Sequence, residues 1–304
     1  MPQNVKRRGF FSLISPFLVY FGVSLIVQIV AIIAVVLQNL PMLMEGLDME
    51  QLENIQNMQQ MYVSEEAMNM LLEQYMQHLA LITAFSALCV IPFFVWMFCR
   101  DKKYELRLGI PQVPKAKAGR YVFIVVFSVV ANIAFNNILL LSNLGSYSES
   151  YQSASEALYA GNFIVELIGL GIIVPIAEEL MFRGLIYRRI RCMIGPRQAI
   201  VVSGLVFGMY HGNLVQGLYG FLVGCIMAWL YEKYGSLKAP ILFHVCANLV
   251  SVIATEADIF TWIFQSYIRV VVTTVVCATC GAASYVKIRN IFMEPQKDIE
   301  INQE

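Results

Sequence analysis

The stretch that decides the fold is residues 163–187, "FIVELIGLGIIVPIAEELMFRGLIY". Most of it is apolar enough to cross a bilayer, yet its second half contains Glu178, Glu179 and Arg183. A charged side chain near the bilayer centre costs about 2.5–3.5 kcal/mol even on a lenient insertion scale. Polar groups at that depth are rare and usually functional, so the stretch predicts a membrane helix that carries a site.

The composition of the whole chain supports a membrane location. Of 304 residues, 58% are hydrophobic and 14% charged, whereas soluble domains have about 25% charged residues. Several segments exceed the roughly 18 apolar residues of a spanning helix. The prediction is an all-α, polytopic protein of the cell membrane, with residues 1–304 forming a single multi-pass integral membrane domain. A net charge of zero argues against a nucleic-acid partner.

The apolar pattern predicts about eight transmembrane helices. The N-terminal apolar run is too long for a signal peptide and has no cleavage site, so it is interpreted as an uncleaved first span. With the N-terminus in the cytoplasm, every Lys and Arg falls on the cytoplasmic side except Arg183 and Arg269, which lie inside spans. This sorting predicts that both termini are cytoplasmic. The predicted spans are residues 11–37, 79–99, 121–143, 162–187, 198–214, 217–232, 238–255 and 260–286.

Two polar segments interrupt the spans. Residues 38–78 contain no Lys or Arg and are predicted to form an extracytoplasmic loop, either a plain connection or an amphipathic surface helix. Residues 100–120, "RDKKYELRLGIPQVPKAKAGR", are predicted to form a basic cytoplasmic loop. The seven cysteines lie in or beside predicted spans, which argues against a disulfide framework.

Spacing assigns the polar residues of the fourth span to faces of a helix. Glu179 and Arg183 are four residues apart, so they stack on one side and can pair. Glu178 is rotated by about 100° from Glu179 and can point elsewhere. Pro175 either kinks the helix so that the glutamates face a cavity or reflects ordinary packing.

Two other spans carry polar residues on single faces. Phe207 and His211 share a face of the fifth span, and His244 and Asn248 share a face of the seventh. At 1.5 Å per residue from the cytoplasmic ends, Glu178 and Asn248 lie about 15 Å deep, His244 about 9 Å and His211 about 21 Å. These depths predict one buried pocket that opens from the cytoplasmic half.

A carboxylate beside two imidazoles and an amide suits the hydrolysis of an amide bond, because one group deprotonates water and others stabilise the oxyanion. Glu178, His211 and His244 are also a plausible zinc ligand set. No H-E-x-x-H or G-x-S-x-G motif is present, which excludes a zincin-type helix and a serine nucleophile elbow. Two non-hydrolytic alternatives are a polar network that locks three helices and a transporter or proton relay, although the chain shows no repeated halves.

Three ordered motifs give a more specific prediction. "EELMFR" (178–183) fits E-E-x-x-x-R, "FGMYH" (207–211) fits F-x-x-x-H and "HVCAN" (244–248) fits H-x-x-x-N. In this combination the chain resembles the CPBP family, the CAAX proteases and bacteriocin-processing enzymes, also called the Abi family. The resemblance covers about residues 162–255, the predicted catalytic core.

The resemblance implies an intramembrane endopeptidase related to the type II CAAX prenyl endopeptidase. It implies that Glu178 is the general base on water and that His211, His244 and Asn248 complete the site. Glu179, Arg183 and Phe207 are then supporting residues.

The mechanism and the substrate stay open at this point. Metal-independent chemistry is favoured because no cysteine joins the cluster and asparagine is a poor zinc ligand; zinc held by His211, His244 and Glu178 is the alternative. The expected substrate is a prenylated C-terminal peptide, a leader or bacteriocin peptide, or a membrane-protein segment. A non-proteolytic transporter, scaffold or bacteriocin-immunity role is a further alternative, and no oligomeric state is predicted. Glu166 and Arg269 are predicted to pair across helices in the outer half.

Overall fold

In a computed structural model, residues 9–45, 65–142 and 148–291 are described, and every regular element within these ranges is helical. The prediction of an all-α protein is confirmed. Residues 1–8, 46–64, 143–147 and 292–304 lie outside the described residues, and with them lie the middle of the predicted extracytoplasmic loop and both termini.

The helices follow the predicted apolar segments closely. They are α1 (Phe10–Gln38), α2 (Leu40–Glu45), α3 (Glu65–Gln77), α4 (Leu79–Arg107), α5 (Val122–Leu141), α6 (Glu149–Leu158), α7 (Phe163–Ile194), α8 (Pro196–Tyr210), α9 (Leu214–Tyr234), α10 (Lys238–Glu256), α11 (Ile259–Phe264) and α12 (Tyr267–Arg289).

Within the described ranges, six helices are long and apolar enough to cross a membrane, and a seventh span results if the bent pair α6–α7 counts as one. The 107° bend of that pair places α6 across the end of α7. α8 has 15 residues and a length of about 22 Å, which is shorter than the bilayer core. Each of the eight predicted segments is largely helical, while the count of eight spans and the cytoplasmic termini stay predictions.

α4 is longer than the sequence suggested. Residues 100–107, predicted as the start of a loop, continue the helix to Arg107. Asp101 and Glu105, one turn apart and buried, pair with two arginines of α7. Arg189 Nε lies 2.6 Å from Asp101 Oδ2, and Arg188 pairs with Glu105. A charged sequence typical of a loop is therefore held as a helix by buried ion pairs, which need partners of opposite charge to be stable.

α7 contains two π-helical segments, Gly169–Ile173 and Leu180–Tyr187, on either side of the α-helical turn Val174–Glu179. In the first segment the backbone N–H of Val174 donates to the carbonyl of Gly169, five residues earlier. Such segments interrupt α-helices frequently at functional sites. Here they flank the turn that carries both glutamates.

α8 and α9 pack together along a seam of glycines. A Cβ built on Gly204 would lie 2.5 Å from Cys225 Sγ, and one built on Gly224 would lie 3.0 Å from Gly204 Cα. Small residues at such positions let membrane helices approach closely. The approach leaves the Gly224 carbonyl beside α7.

The predicted pair of Glu166 and Arg269 is wrong. Glu166 is buried and accepts a hydrogen bond from the Gly161 backbone N–H at 3.0 Å. Arg269 donates to the Trp262 carbonyl at 2.7 Å and lies over the Trp262 ring at 4.2 Å. Each side chain has a partner nearby in its own part of the chain, so neither needs the other.

Candidate active site

The centre of the site is a fully buried ion pair on α7. Arg183 Nη1 lies 2.7 Å from Glu179 Oε1, and both side chains have no solvent exposure. Arg183 also donates from Nη2 to the Gly224 carbonyl at 2.9 Å, which the glycine seam of α8 and α9 brings within reach. The pairing that the four-residue spacing predicted is therefore confirmed, and a carbonyl of α9 stabilises it further.

His244 joins this pair from α10. Its Nδ1 lies 3.0 Å from Glu179 Oε1. Because an ionised carboxylate can only accept hydrogen bonds, the imidazole donates from Nδ1. Its other nitrogen, Nε2, lies 3.7 Å from Glu178 Oε2, which is too long for a direct hydrogen bond. Glu178 and His244 thus face each other across a narrow gap, with both side chains largely buried.

His211 lies just beyond the end of α8 rather than inside a span. Gly212 turns the chain there with φ of 76°, and Asn213 caps α9 by accepting from the Gln216 N–H at 2.9 Å. His211 Nδ1 lies 2.9 Å from the Phe207 carbonyl. Since a carbonyl accepts and does not donate, Nδ1 carries a proton and Nε2 is the nitrogen left for chemistry.

The Phe207 ring connects these groups. Its centroid lies 4.9 Å from that of His211 and 5.8 Å from that of His244, both in edge-on arrangements. The Arg183 guanidinium lies 4.5 Å from the same centroid. Phe207 is 2% exposed, so its buried ring packs against both imidazoles and gives Arg183 a favourable cation–π contact.

Asn248 lies one turn from His244 on α10 and points towards α7. Its Nδ2 donates to the Leu170 carbonyl at 2.9 Å. A side-chain amide has two N–H donors on one nitrogen, so this contact uses one and leaves the second for a ligand. A further amide fixes α10 at this level, because Asn132 of α5 donates to the Ala247 carbonyl at 3.1 Å and to Ser251 Oγ at 2.8 Å.

The structure thus brings most of the predicted site residues into one network. Glu179, Arg183 and His244 are in direct contact, and Glu178 faces His244. Within the described residues, no hydrogen bond joins His211 to Glu178 or His244; the Phe207 ring links it to the rest.

The zinc alternative finds no ligand set in this geometry. Among the residues that the structure describes, no group of three His, Cys, Asp or Glu side chains is arranged to hold a metal ion. The metal-independent and the zinc-dependent versions both stay predictions for experiment.

Two tyrosines beside the site were not singled out from the sequence. The centroid of the Tyr210 ring lies 5.6 Å from that of His211 and 5.6 Å from that of Tyr20 of α1. The Glu178 carboxylate is near enough to both tyrosine hydroxyls to interact with them electrostatically. Tyr20 lies ten residues after the start of α1 at Phe10, about 15 Å along the helix and close to the depth of Glu178. That depth was the one signal in the sequence that could have found it.

The part of the chain that carries the site is similar to known proteins. The family model "Type II CAAX prenyl endopeptidase Rce1-like" matches residues 160–250, the segment that contains every site residue of the three motifs. Residues 160–250 are therefore similar to the CAAX protease family. The matched segment lies within a chain that is a multi-pass integral membrane protein of the cell membrane.

Two curated bacterial proteins are similar to the chain. UPF0177 protein YxdF of Lactococcus lactis is 28% identical over 127 residues, which are 41% of this chain and 70% of that protein. "Putative membrane peptidase YdiL" of Bacillus subtilis is 28% identical over 131 residues, 43% of this chain and 52% of that protein. The match to the Bacillus protein therefore spans about half of its length. No solved structure shows a significant match.

Proposed function

We propose that the chain is an intramembrane endopeptidase that hydrolyses a peptide bond in a membrane-associated or lipidated peptide or protein. One observation carries the proposal: Glu178 Oε2 and His244 Nε2 face each other at 3.7 Å, while the other nitrogen of His244 is held by Glu179 at 3.0 Å. At this separation one water molecule beside the two atoms would be within hydrogen-bonding distance of both.

Glu178 acts as the general base in this proposal. It takes a proton from the water, whose oxygen attacks the carbonyl carbon of the scissile bond. The carbonyl becomes a tetrahedral oxyanion, and its collapse breaks the carbon–nitrogen bond. The proton held by Glu178 passes to the leaving nitrogen, so the products are a carboxylic acid and an amine.

The remaining polar residues stabilise the oxyanion and orient the water. The unused N–H of Asn248 and a protonated Nε2 of His244 are the donors, with Glu179 as the counter-ion of the imidazolium. Preorganised donors of this kind typically supply the largest part of catalysis in acyl transfer. His211, with Nδ1 committed to the Phe207 carbonyl, uses Nε2 to orient the water or to donate a proton.

The test is cleavage of a peptide library by the purified protein in detergent. Glu178→Gln keeps the size of the side chain and removes the base. Glu166→Gln is the matched control, because Glu166 is another buried glutamate of α7 whose hydrogen bond from Gly161 N–H an amide oxygen can still accept. Each protein is assayed with and without a zinc chelator.

The proposal predicts turnover by the wild type and by Glu166→Gln, at least a 10²-fold loss in Glu178→Gln, and no effect of the chelator. Loss on chelation with recovery on adding zinc would replace the metal-independent mechanism by the zinc-dependent one. Wild-type turnover in Glu178→Gln would rule out the assigned base.

A further inference from the structure

The carbonyl of Leu170 has lost its partner within α7. In the π-helical segment the N–H of Val174 donates to the Gly169 carbonyl, five residues earlier. The next bond of that series would join the N–H of residue 175 to the Leu170 carbonyl. Residue 175 is proline, which has no N–H. The five-residue hydrogen-bond spacing of the π-helical segment and the missing N–H of Pro175 therefore leave the Leu170 carbonyl without a backbone donor.

Asn248 supplies the missing donor. Its Nδ2 lies 2.9 Å from the Leu170 oxygen, and Leu170 is 8% exposed. A buried backbone carbonyl strongly favours a hydrogen bond where water is excluded. Because a carbonyl can only accept, this contact also decides which end of the amide faces α7. The nitrogen of Asn248 is held at the turn that precedes the glutamates, with its second N–H available.

We infer that Pro175 is a positioning residue. Because it has no backbone N–H, the Leu170 carbonyl accepts its hydrogen bond from Asn248 instead, and this bond fixes the amide that donates to the oxyanion. This inference rests on the proposed function. The same proline lies three residues before Glu178, in the turn Val174–Glu179 that carries the base.

Pro175→Ala is the first variant, because it restores an N–H at the position that would otherwise bond to Leu170. With the carbonyl satisfied by the backbone, Asn248 is released. We expect kcat to fall by about 10- to 100-fold with little change in KM, as for a misplaced group that acts only in the transition state. Pro92→Ala is the matched control, since Pro92 also lies inside an apolar helix, α4, and its side chain is exposed.

A backbone ester at position 175 distinguishes the effect of the missing N–H from the effect of the proline ring. Incorporating lactic acid, the hydroxy-acid analogue of alanine, at position 175 gives a residue with neither ring nor N–H. We expect this variant to recover most of the wild-type kcat. An ester as impaired as Pro175→Ala would show that the ring itself matters and would overturn the inference. If Pro175→Ala does not fold, the kcat of the ester variant decides in the same way.

A spectroscopic readout keeps this test separate from the proposed function. The Asn248 side-chain amide resonance of ¹⁵N-asparagine-labelled protein, assigned by its loss in Asn248→Ala, is expected to move in Pro175→Ala and to return in the ester. An unmoved resonance would overturn the inference whether or not the protein cleaves peptides. Inactive Glu178→Gln beside fully active Pro175→Ala would overturn the inference while leaving the proposed function intact.

Discussion

At the scale of single residues, the site gives two adjacent carboxylates different surroundings. Glu179 has no exposure and is bound by Arg183 and His244. Glu178 is 8% exposed and faces the gap beside His244. Two carboxylates in different environments commonly take different catalytic roles. Glu178 is therefore suited to activate water, and Glu179 is suited to hold the His244 imidazole.

Arg183 is expected to matter for stability as well as for the site. Arg183→Met leaves Glu179 buried without its cation, and breaking a buried ion pair typically costs about 3–5 kcal/mol. The free energy of unfolding in detergent should fall by a comparable amount. Arg197→Met, at an exposed position, is the control and should be near neutral. Equal stability of the two variants would contradict the role given to the pair.

The sequence predicted contacts within a helix better than contacts between helices. The four-residue spacing was sufficient for the Glu179–Arg183 pair because the rotation of a helix fixes it. The hydrogen bond between Glu179 and His244 depends on how α10 is rotated and tilted against α7. The position of Tyr20 near Glu178 depends in the same way on α1. No periodicity within one segment contains that information.

At the scale of helices, the glycine seam sets how closely α8 and α9 approach, and therefore where Phe207 and the Gly224 carbonyl lie. A Cβ on Gly208 would collide with the Gly217 carbonyl oxygen and lie 3.0 Å from Phe221 N. A backbone atom cannot yield as a flexible side chain does, so α8 would have to shift away from α9.

Gly208→Ala is accordingly expected to destabilise the protein by about 1–3 kcal/mol, the usual cost of overpacking, and to lower kcat because Phe207 is its neighbour in the chain. Unfolding in detergent and peptide cleavage measure the two effects. Gly22→Ala on α1 is the control, since a Cβ there meets nothing within 4 Å. If Gly208→Ala and Gly22→Ala both had the stability and kcat of the wild type, the glycine seam would not set how closely α8 and α9 approach.

Helix positions were predictable from apolar length, but helix registers were not. The predicted fourth span, residues 162–187, corresponds to α7, yet its two π segments depend on where Pro175 and the cross-helix partners lie. The extension of α4 to Arg107 was missed for a related reason. Asp101 and Glu105 resemble solvated loop residues until the arginines of α7 are placed beside them.

At the scale of the whole molecule, the sorting of basic residues predicts which side of the membrane each connection faces. The segment between α4 and α5 should lie in the cytoplasm and α6 outside. In a variant whose seven native cysteines are replaced by serine, Ser150→Cys should react with a membrane-impermeant maleimide in intact cells. Lys115→Cys should react only after permeabilisation. The reverse pattern would contradict the predicted topology.

The most direct test of the central claim is chemical rescue of Glu178→Ala. Removing the carboxylate should abolish peptide cleavage, and added acetate should restore part of it in a saturable manner, because a free carboxylate can occupy the vacated position and deprotonate the water. Glu179→Ala is the comparison and should not be rescued, since its carboxylate also holds Arg183. Recovery in Glu178→Ala alone is the predicted result. Full activity of Glu178→Ala without acetate would contradict the claim that Glu178 is the base.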